Sequence, residues 1–304
     1  MASTLLSVAS VALYVSVSLV MTLANKAIAT SSFNSTHALL TAECFLTAVC
    51  IEVLVRAGML ERLQFSRLVM WKLIPVSTCK AGNILFSFLA MRGTSLPVYN
   101  VLKRLNAVAT LGVDTVVRRA HVGKVKLIGV GFITLGAAVT SQGDLEFNFM
   151  GYAVSLVACC CQAGYLVLSK RAQEQVEGMN PNNLLYFTAV IVGIIFLPFA
   201  AFEILNTTED PEAETVVSWS VLVAYIACGA ALNYSIFLCT TVNSPLATGV
   251  AGNMKAVLST GFGVVVYGSS LTSLGWAGLV MSTVGGAVYS LEPFLHPRDS
   301  SKRS

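Results

Sequence analysis

Leu96-Pro-Val-Tyr-Asn-Val-Leu-Lys-Arg-Leu-Asn-Ala-Val-Ala-Thr-Leu-Gly-Val113 sets two cations, Lys103 and Arg104, inside an apolar stretch long enough to cross a membrane. A second stretch, from Pro245 through Gly252-Asn-Met-Lys255 to Val266, holds a third. A cation at such depth costs at least about 2.5 kcal/mol even on the lenient insertion scale, so it is retained for a purpose. The default purpose is an anion that lands between the cations. A polytopic membrane protein that holds an anionic solute near its midplane is most simply a transporter.

The rest of the chain is built for the same solvent. Of its residues 55% are hydrophobic and 11% charged, far from the composition of a soluble domain. Apolar spans succeed one another at about 5–26, 37–55, 72–91, 95–117, 125–141, 150–170, 183–203, 217–241, 246–268 and 272–291. The expected fold is an all-α integral membrane protein of ten transmembrane helices, forming one domain over residues 1–304. The first span lacks a basic flank and a clear small-residue cleavage site, so it reads as a retained helix and not a signal peptide.

Charge placement fixes the expected orientation. With both termini in the cytosol, the cytosolic ends receive Arg56, Arg62, Arg67, Lys72, Arg118, Arg119, Lys124, Lys126, Lys170, Arg171, Arg298, Lys302 and Arg303, which is 13 of the 19 Lys and Arg residues. The opposite ends receive Arg92 alone, with Asp144, Glu146, Glu203, Glu209, Asp210, Glu212 and Glu214. Shifting the count by one helix would scramble this positive-inside bias. Two candidate glycosylation acceptors, Asn34 and Asn206, fall on the non-cytosolic face, as that modification requires.

Lys103 lies about 12 Å in from Ser95, and Lys255 about 15 Å in from Pro245, at 1.5 Å per helical residue. Both are thus near the centre of a core about 30 Å thick. An internal ion pair with Glu43, Glu52 or Asp114 is the competing explanation. Lys26 and Lys80 have a blander one, because a lysine near a helix end can snorkel to the interface.

The two halves of the chain resemble each other. Ala24-Asn-Lys-Ala matches Leu168-Ser-Lys-Arg, His37-Ala-Leu-Leu matches Asn182-Asn-Leu-Leu, and Thr94-Ser-Leu-Pro97 matches Asn243-Ser-Pro245, at offsets of 144, 145 and 148 residues. A unit with an odd number of crossings must lie upside down when copied. The expectation is therefore two inverted five-helix repeats, about 5–141 and 150–291, with the solute site between them. The fourth and ninth helices are partners in this scheme, and they carry the cations. Tyr99, Lys103, Asn106 and Thr110 share one helical face. Asn100, Thr248, Asn253 and Ser259 add hydrogen-bonding groups nearby, and Asn233 with Tyr234 can join them. Gly252, one turn before Lys255, offers bare backbone to a ligand.

Other chemistries find no support. The eight cysteines lie within spans without CxxC spacing, and the three histidines are scattered, so neither a disulfide framework nor a metal site is expected. No Walker loop, nucleophile elbow or zincin motif occurs, which argues against ATP-driven transport and against hydrolysis; no catalytic residue and no cofactor is assigned.

Leu89-Ala-Met-Arg-Gly-Thr-Ser-Leu-Pro-Val-Tyr-Asn-Val-Leu-Lys-Arg104, Gly143-Asp-Leu followed by Gly151-Tyr, Ala163-Gly-Tyr-Leu-Val-Leu, and Cys239 through Asn243-Ser to Gly252-Asn-Met-Lys255 resemble nucleotide-sugar transporters of solute carrier family 35. The likeness is to its D branch, within the drug/metabolite transporter superfamily. It implies residence in the Golgi or endoplasmic reticulum membrane and exchange of a cytosolic nucleotide sugar for luminal nucleoside monophosphate. Transporters of GDP-mannose carry Phe-Tyr-Asn-Asn before the seventh helix and Gly-Ala-Leu-Asn-Lys in the ninth. Here Asn180-Pro-Asn182-Asn183 keeps the asparagines but loses the aromatics, and Lys255 follows Gly252 by three positions. Both departures favour UDP-sugars. The expected binding set is Tyr99, Asn100, Lys103, Arg104, Asn106, Asn182, Asn183, Asn233, Gly252, Asn253 and Lys255, with Asn182, Asn183 and Asn253 at base or ribose and Tyr99 stacking. Expected partners are the nucleotide sugar, the monophosphate and the bilayer, with no nucleic acid, while a homodimer is left open. A carrier of another phosphorylated anion, of triose-phosphate or phosphoenolpyruvate type, and a non-transporting adaptor are the alternatives.

Overall fold

The computed structural model describes residues 2–30, 36–61, 66–118, 123–145, 147–206, 219–242, 245–268 and 271–295. Among them run α1 (Ala2–Thr30), α2 (Thr36–Arg56), α3 (Arg67–Gly93), α4 (Leu96–Arg118), α5 (Lys124–Gln142), α6 (Phe149–Gln175), α7 (Pro181–Asn206), α8 (Trp219–Val242), α9 (Pro245–Tyr267) and α10 (Ser273–Leu295). Each matches one of the apolar spans to within two residues at the span's ends or runs past it. α3 begins at Arg67 and α6 continues to Gln175, because polar residues extend a helix into the interface where apolar patterning stops. Among the described residues, six helices can by length and composition each cross a bilayer alone: α1, α2, α3, α5, α6 and α7. The protein is a multi-pass membrane protein. α4, which carries Lys103, Arg104 and Asn106 at its middle, is not among the six.

Local signals set several helix starts. α4, α7 and α9 have proline in the first turn, where the missing N–H has no intrahelical partner to lose. Asn148 caps α6 by accepting from the N–H groups of Met150 and Gly151. Glu203, near the end of α7, accepts from the His37 and Ala38 N–H groups and pairs with the His37 ring at 2.5 Å. One carboxylate thereby caps α2 and fastens it to α7.

The most extensive packing joins α5 to α10, followed by α3 with α6 and α2 with α7. α4 lies against α6, α5 and α9, and α1 lies against α8, α9 and α3. The α5–α10 seam is made of glycine. A Cβ on Gly136 would stand 2.5 Å from the Ser282 nitrogen, and one on Gly278 would stand 2.4 Å from the Thr140 nitrogen. Gly129 and Gly285 are equally confined, so the two backbones touch along several turns.

α1 and α3 end side by side and cap each other. The Lys26 ammonium, buried, donates to the carbonyls of Met91 at 2.5 Å and Thr94 at 2.7 Å. In return Arg92 donates to the Ala29 carbonyl at 2.8 Å. Lys26 thus does not snorkel. It meets the carbonyl-rich end of the neighbouring helix, which is a better partner than a distant headgroup.

Candidate functional site

Helix α4 gathers its polar residues on one face and turns that face into the bundle. A cavity of about 300 Å³ opens there between α1, α4, α5, α9 and α10. Tyr99, Asn100, Lys103, Arg104 and Asn106 line it from α4, and Gly252 and Lys255 from α9. The three cations singled out from sequence thus border one space, though they come from segments some 150 residues apart. A cavity of this size, with polar groups converging on it, is the usual form of a small-ligand site.

Lys103 stands at its inner edge. Its ammonium donates to the Tyr99 hydroxyl at 3.2 Å and lies 5.3 Å from that ring's centre, a cation–π position. The side chain is solvent-accessible although it sits at mid-helix, because its exposure is to cavity space. Among the described residues no hydrogen bond or ion pair reaches the Lys255 ammonium. The Glu52 carboxylate is engaged by Arg56 at 3.1 Å, and among the described residues no salt bridge joins it to Lys103 or Lys255. Asp114 has its side chain outside the described residues. Two ammonium groups around one cavity repel each other and favour any dianion placed between them.

The remaining α4 residues have mixed duties. The Asn100 amide donates to Ser259 Oγ at 2.8 Å and Thr260 Oγ1 at 3.2 Å, clasping α4 to α9. Arg104 donates to Thr283 Oγ1 at 2.6 Å and the Leu279 carbonyl at 3.5 Å, which anchors it to α10. Its Nε is buried without a partner, as are Asn106 Oδ1 and Thr110 Oγ1. Of these, Arg104 and Asn106 line the cavity wall, where unsatisfied buried groups are suited to a polar ligand. Gly252 is open: a Cβ there would meet nothing nearer than the Tyr14 hydroxyl at 3.6 Å.

Asn182 and Asn183 are placed elsewhere. Asn182 lines a separate cavity of about 50 Å³ with Tyr234, between α2, α7 and α8. Asn183 is buried, and its amide donates to the Gly178 carbonyl at 3.4 Å, ordering the turn before α7. The side chains of Asn233 and Asn253 lie outside the described residues, as does Asn34. Asn206 ends α7, exposed, with its amide turned back to the Phe202 carbonyl at 2.8 Å.

Sequence reading passed over Tyr14, Thr22, Gly286 and Tyr289, which complete the walls from α1 and α10. The available signal was a tyrosine hydroxyl at the middle of an apolar helix, which needs a polar neighbour there. A second cavity of about 250 Å³ lies on the other side of Lys103, between α1, α2, α3, α7 and α8, and shares Tyr99 and Lys103 with the first. Glu43 and Lys80 face it.

Residues 6–290 match the Triose-phosphate Transporter family. The chain is similar to UDP-galactose/UDP-glucose transporter 7 of Arabidopsis thaliana, 29% identical over 72% of this chain and 69% of that protein. It is also similar to a putative UDP-sugar transporter of Dictyostelium discoideum, 29% identical over 86% of this chain and 69% of the relative. To the human nucleotide sugar transporter SLC35D2 it is 27% identical, over 74% and 68%. A solved structure described only as a crystal structure of protein superposes with a TM-score of 0.61 over 99% of each chain, at 16% identity, and shares the fold.

Proposed function

Because the chain belongs to the Triose-phosphate Transporter family, we propose that it transports nucleotide sugars, UDP-sugars by preference, in exchange for nucleoside monophosphate by alternating access. The observation that carries this reading is the ring of Lys103, Arg104 and Lys255 around one mid-bundle cavity. A diphosphate ester and the returning monophosphate each carry close to two negative charges at neutral pH, so either neutralises the same cations. An empty carrier must switch sides with unpaired cations in its core, which costs free energy. Strict exchange follows from that penalty. The relatives named for UDP-sugar and nucleotide-sugar transport support the substrate class.

Ten crossings in two inverted repeats, forming one transport unit, account for the packing. Exchanging each helix of the first half for its counterpart five places later maps α3–α6 onto α8–α1, α4–α6 onto α9–α1, and α3–α7 onto α8–α2, all of which are packed pairs. The pairs α5–α10, α2–α7 and α4–α9 map onto themselves. The slighter α4–α10 and α6–α7 contacts lack comparable counterparts among the described residues, and the contact between α1 and α3 breaks the rule more strongly, since α6 and α8 make no comparable contact there. In a carrier with both termini cytosolic, this closes the luminal end and leaves the cytosolic end looser, which is one state of alternating access. Residence in the Golgi or endoplasmic reticulum membrane, where the monophosphate is generated, completes the reading.

Purified protein in liposomes preloaded with UMP, GMP, CMP or AMP tests it. Uptake of labelled UDP-sugar that UMP stimulates most is the expected result, and a GMP preference would move the chain to GDP-sugars. The family description favours a second reading, a carrier of triose phosphate or a similar small anion. Uptake of glycerone phosphate against inorganic phosphate, with no response to nucleotides, would establish it instead.

A further inference from the structure

We propose that Lys26 and Lys170 are alternating latches, each holding one end of the carrier shut by donating to the carbonyl end of a neighbouring helix. Lys26 latches the luminal end in the state described above, and Lys170 latches the cytosolic end once the carrier faces the lumen. This rests on the inverted-repeat and alternating-access reading above and names the groups that hold its two states.

Lys26 stands in Ala24-Asn-Lys26-Ala, and Lys170 holds the same place in Leu168-Ser-Lys170-Arg, 144 residues later. The buried Lys26 ammonium reaches the carbonyls of Met91 and Thr94 where α3 ends. The last carbonyls of a helix have no intrahelical partner, so a cation that donates to them is well placed. At the 148-residue offset that pairs Pro97 with Pro245, Met91 and Thr94 become Cys239 and Val242, in the last turn of α8. Lys170, by contrast, is exposed, and among the described residues it makes no hydrogen bond or ion pair. Its helix makes no contact with α8 comparable to that of α1 with α3. One latch is closed and its copy open, as the two ends of a carrier in a single state must be. Bringing α6 and α8 together gives Lys170 the kind of carbonyls that Lys26 has now. Each lysine lies near a helix end, so a released latch extends to its own interface and strands no charge in lipid. The latches also differ in strength. Arg92 adds a second cation at the luminal end, donating to the Ala29 carbonyl at 2.8 Å, whereas its counterpart is the uncharged Thr240. The empty carrier therefore rests facing the cytosol.

Hydrogen–deuterium exchange and transport by the reconstituted full chain test the latches. Lys170→Met removes an exposed charge and should leave the luminal ends of α1 and α3 as protected as in wild type. The lumen-facing state loses its latch, so in vesicles of uniform orientation the KM for luminal UMP should rise about fivefold. The KM for cytosolic UDP-sugar should not rise. Lys26→Met should do the opposite: amides at the luminal ends of α1 and α3 exchange about tenfold faster, those at the cytosolic ends of α6 and α8 exchange more slowly, and the cytosolic KM rises. Lys26→Arg and Lys170→Arg still donate to carbonyls and should each restore most of the wild-type behaviour. UMP-induced thermal stabilisation shows that each variant is folded, and exposed Lys170 carries the test where Lys26→Met is not recovered. Shifts in the same direction for both variants, or none for Lys170→Met, overturn the paired latches. Wild-type protein that exchanges no nucleotide overturns the transport reading itself, a result distinct from both.

Discussion

α5–α10 and α4–α9 both join the first half of the chain to the second, yet they are built for opposite ends. Along α5–α10, glycines at 129, 136, 278 and 285 bring backbone against backbone and leave no space for a side chain. Along α4–α9, Asn100 clasps Ser259 and Thr260 on one side, and the helices then part around cations and a cavity of about 300 Å³. The same residue serves both designs. At Gly278 the missing Cβ permits contact, and at Gly252 it keeps space open. One pair is a strut, and the other is a site hung from it.

The sharpest way to break this contrast is to add a methyl group to each pair. Gly278→Ala puts a Cβ 2.4 Å from the backbone nitrogen of Thr140, which cannot move without α5. Overpacking of this kind costs about 1–3 kcal/mol or more. We expect little monodisperse protein and a markedly lower melting temperature in detergent; melting at the wild-type temperature would mean that the seam is not tight. Lys255→Ala reverses the pattern. With no partner stranded by its loss, the variant should melt as high as wild type, lose stabilisation by UMP and exchange about 100-fold more slowly, a loss of about 2.7 kcal/mol. If Lys255 instead held a carboxylate, removing it would destabilise the fold by about 3–5 kcal/mol and leave the UMP response in place.

Gly252→Ala should be milder. The added methyl has 3.6 Å to its nearest neighbour, so stability should not change. It protrudes into the ligand's space, and a KM for UDP-sugar raised about three- to tenfold, near 1 kcal/mol, is the expected reading. Asn100→Ala is smallest. Interhelical hydrogen bonds in membranes average about 0.6 kcal/mol, so cutting the α4–α9 clasp should lower the melting temperature slightly. A loss as large as that of Gly278→Ala would show that the two pairs carry equal structural weight, and the contrast would fail.

The cation cavity was legible in the chain because a charge in lipid is expensive and therefore conspicuous. Lys103 and Lys255 stood out at once, and their separate depths agreed with a common level. The walls opposite them were not legible, since Tyr14 and Tyr289 are ordinary amphipathic residues until a fold brings them to one place. Asn182 and Asn183 were selected by motif likeness, and the structure sets them at the start of α7, away from both larger cavities. Lys26 was misread because snorkelling considers only its own helix, while its partners are carbonyls at the end of α3. Which helix the α10 glycines face was not legible either, because small residues announce closeness without naming the neighbour.

The glycine seam also decides how inherited changes in this protein would register. Every missense change of a glycine codon adds at least one carbon. At Gly136 or Gly278 that carbon enters a neighbouring backbone, so the variant is lost to quality control and is scored as missing protein. At Gly252 the carbon enters empty space, so the protein persists in full amount and fails only with its cargo. Abundance and transport, scored separately for every variant, would draw the boundary between strut and site directly from phenotype.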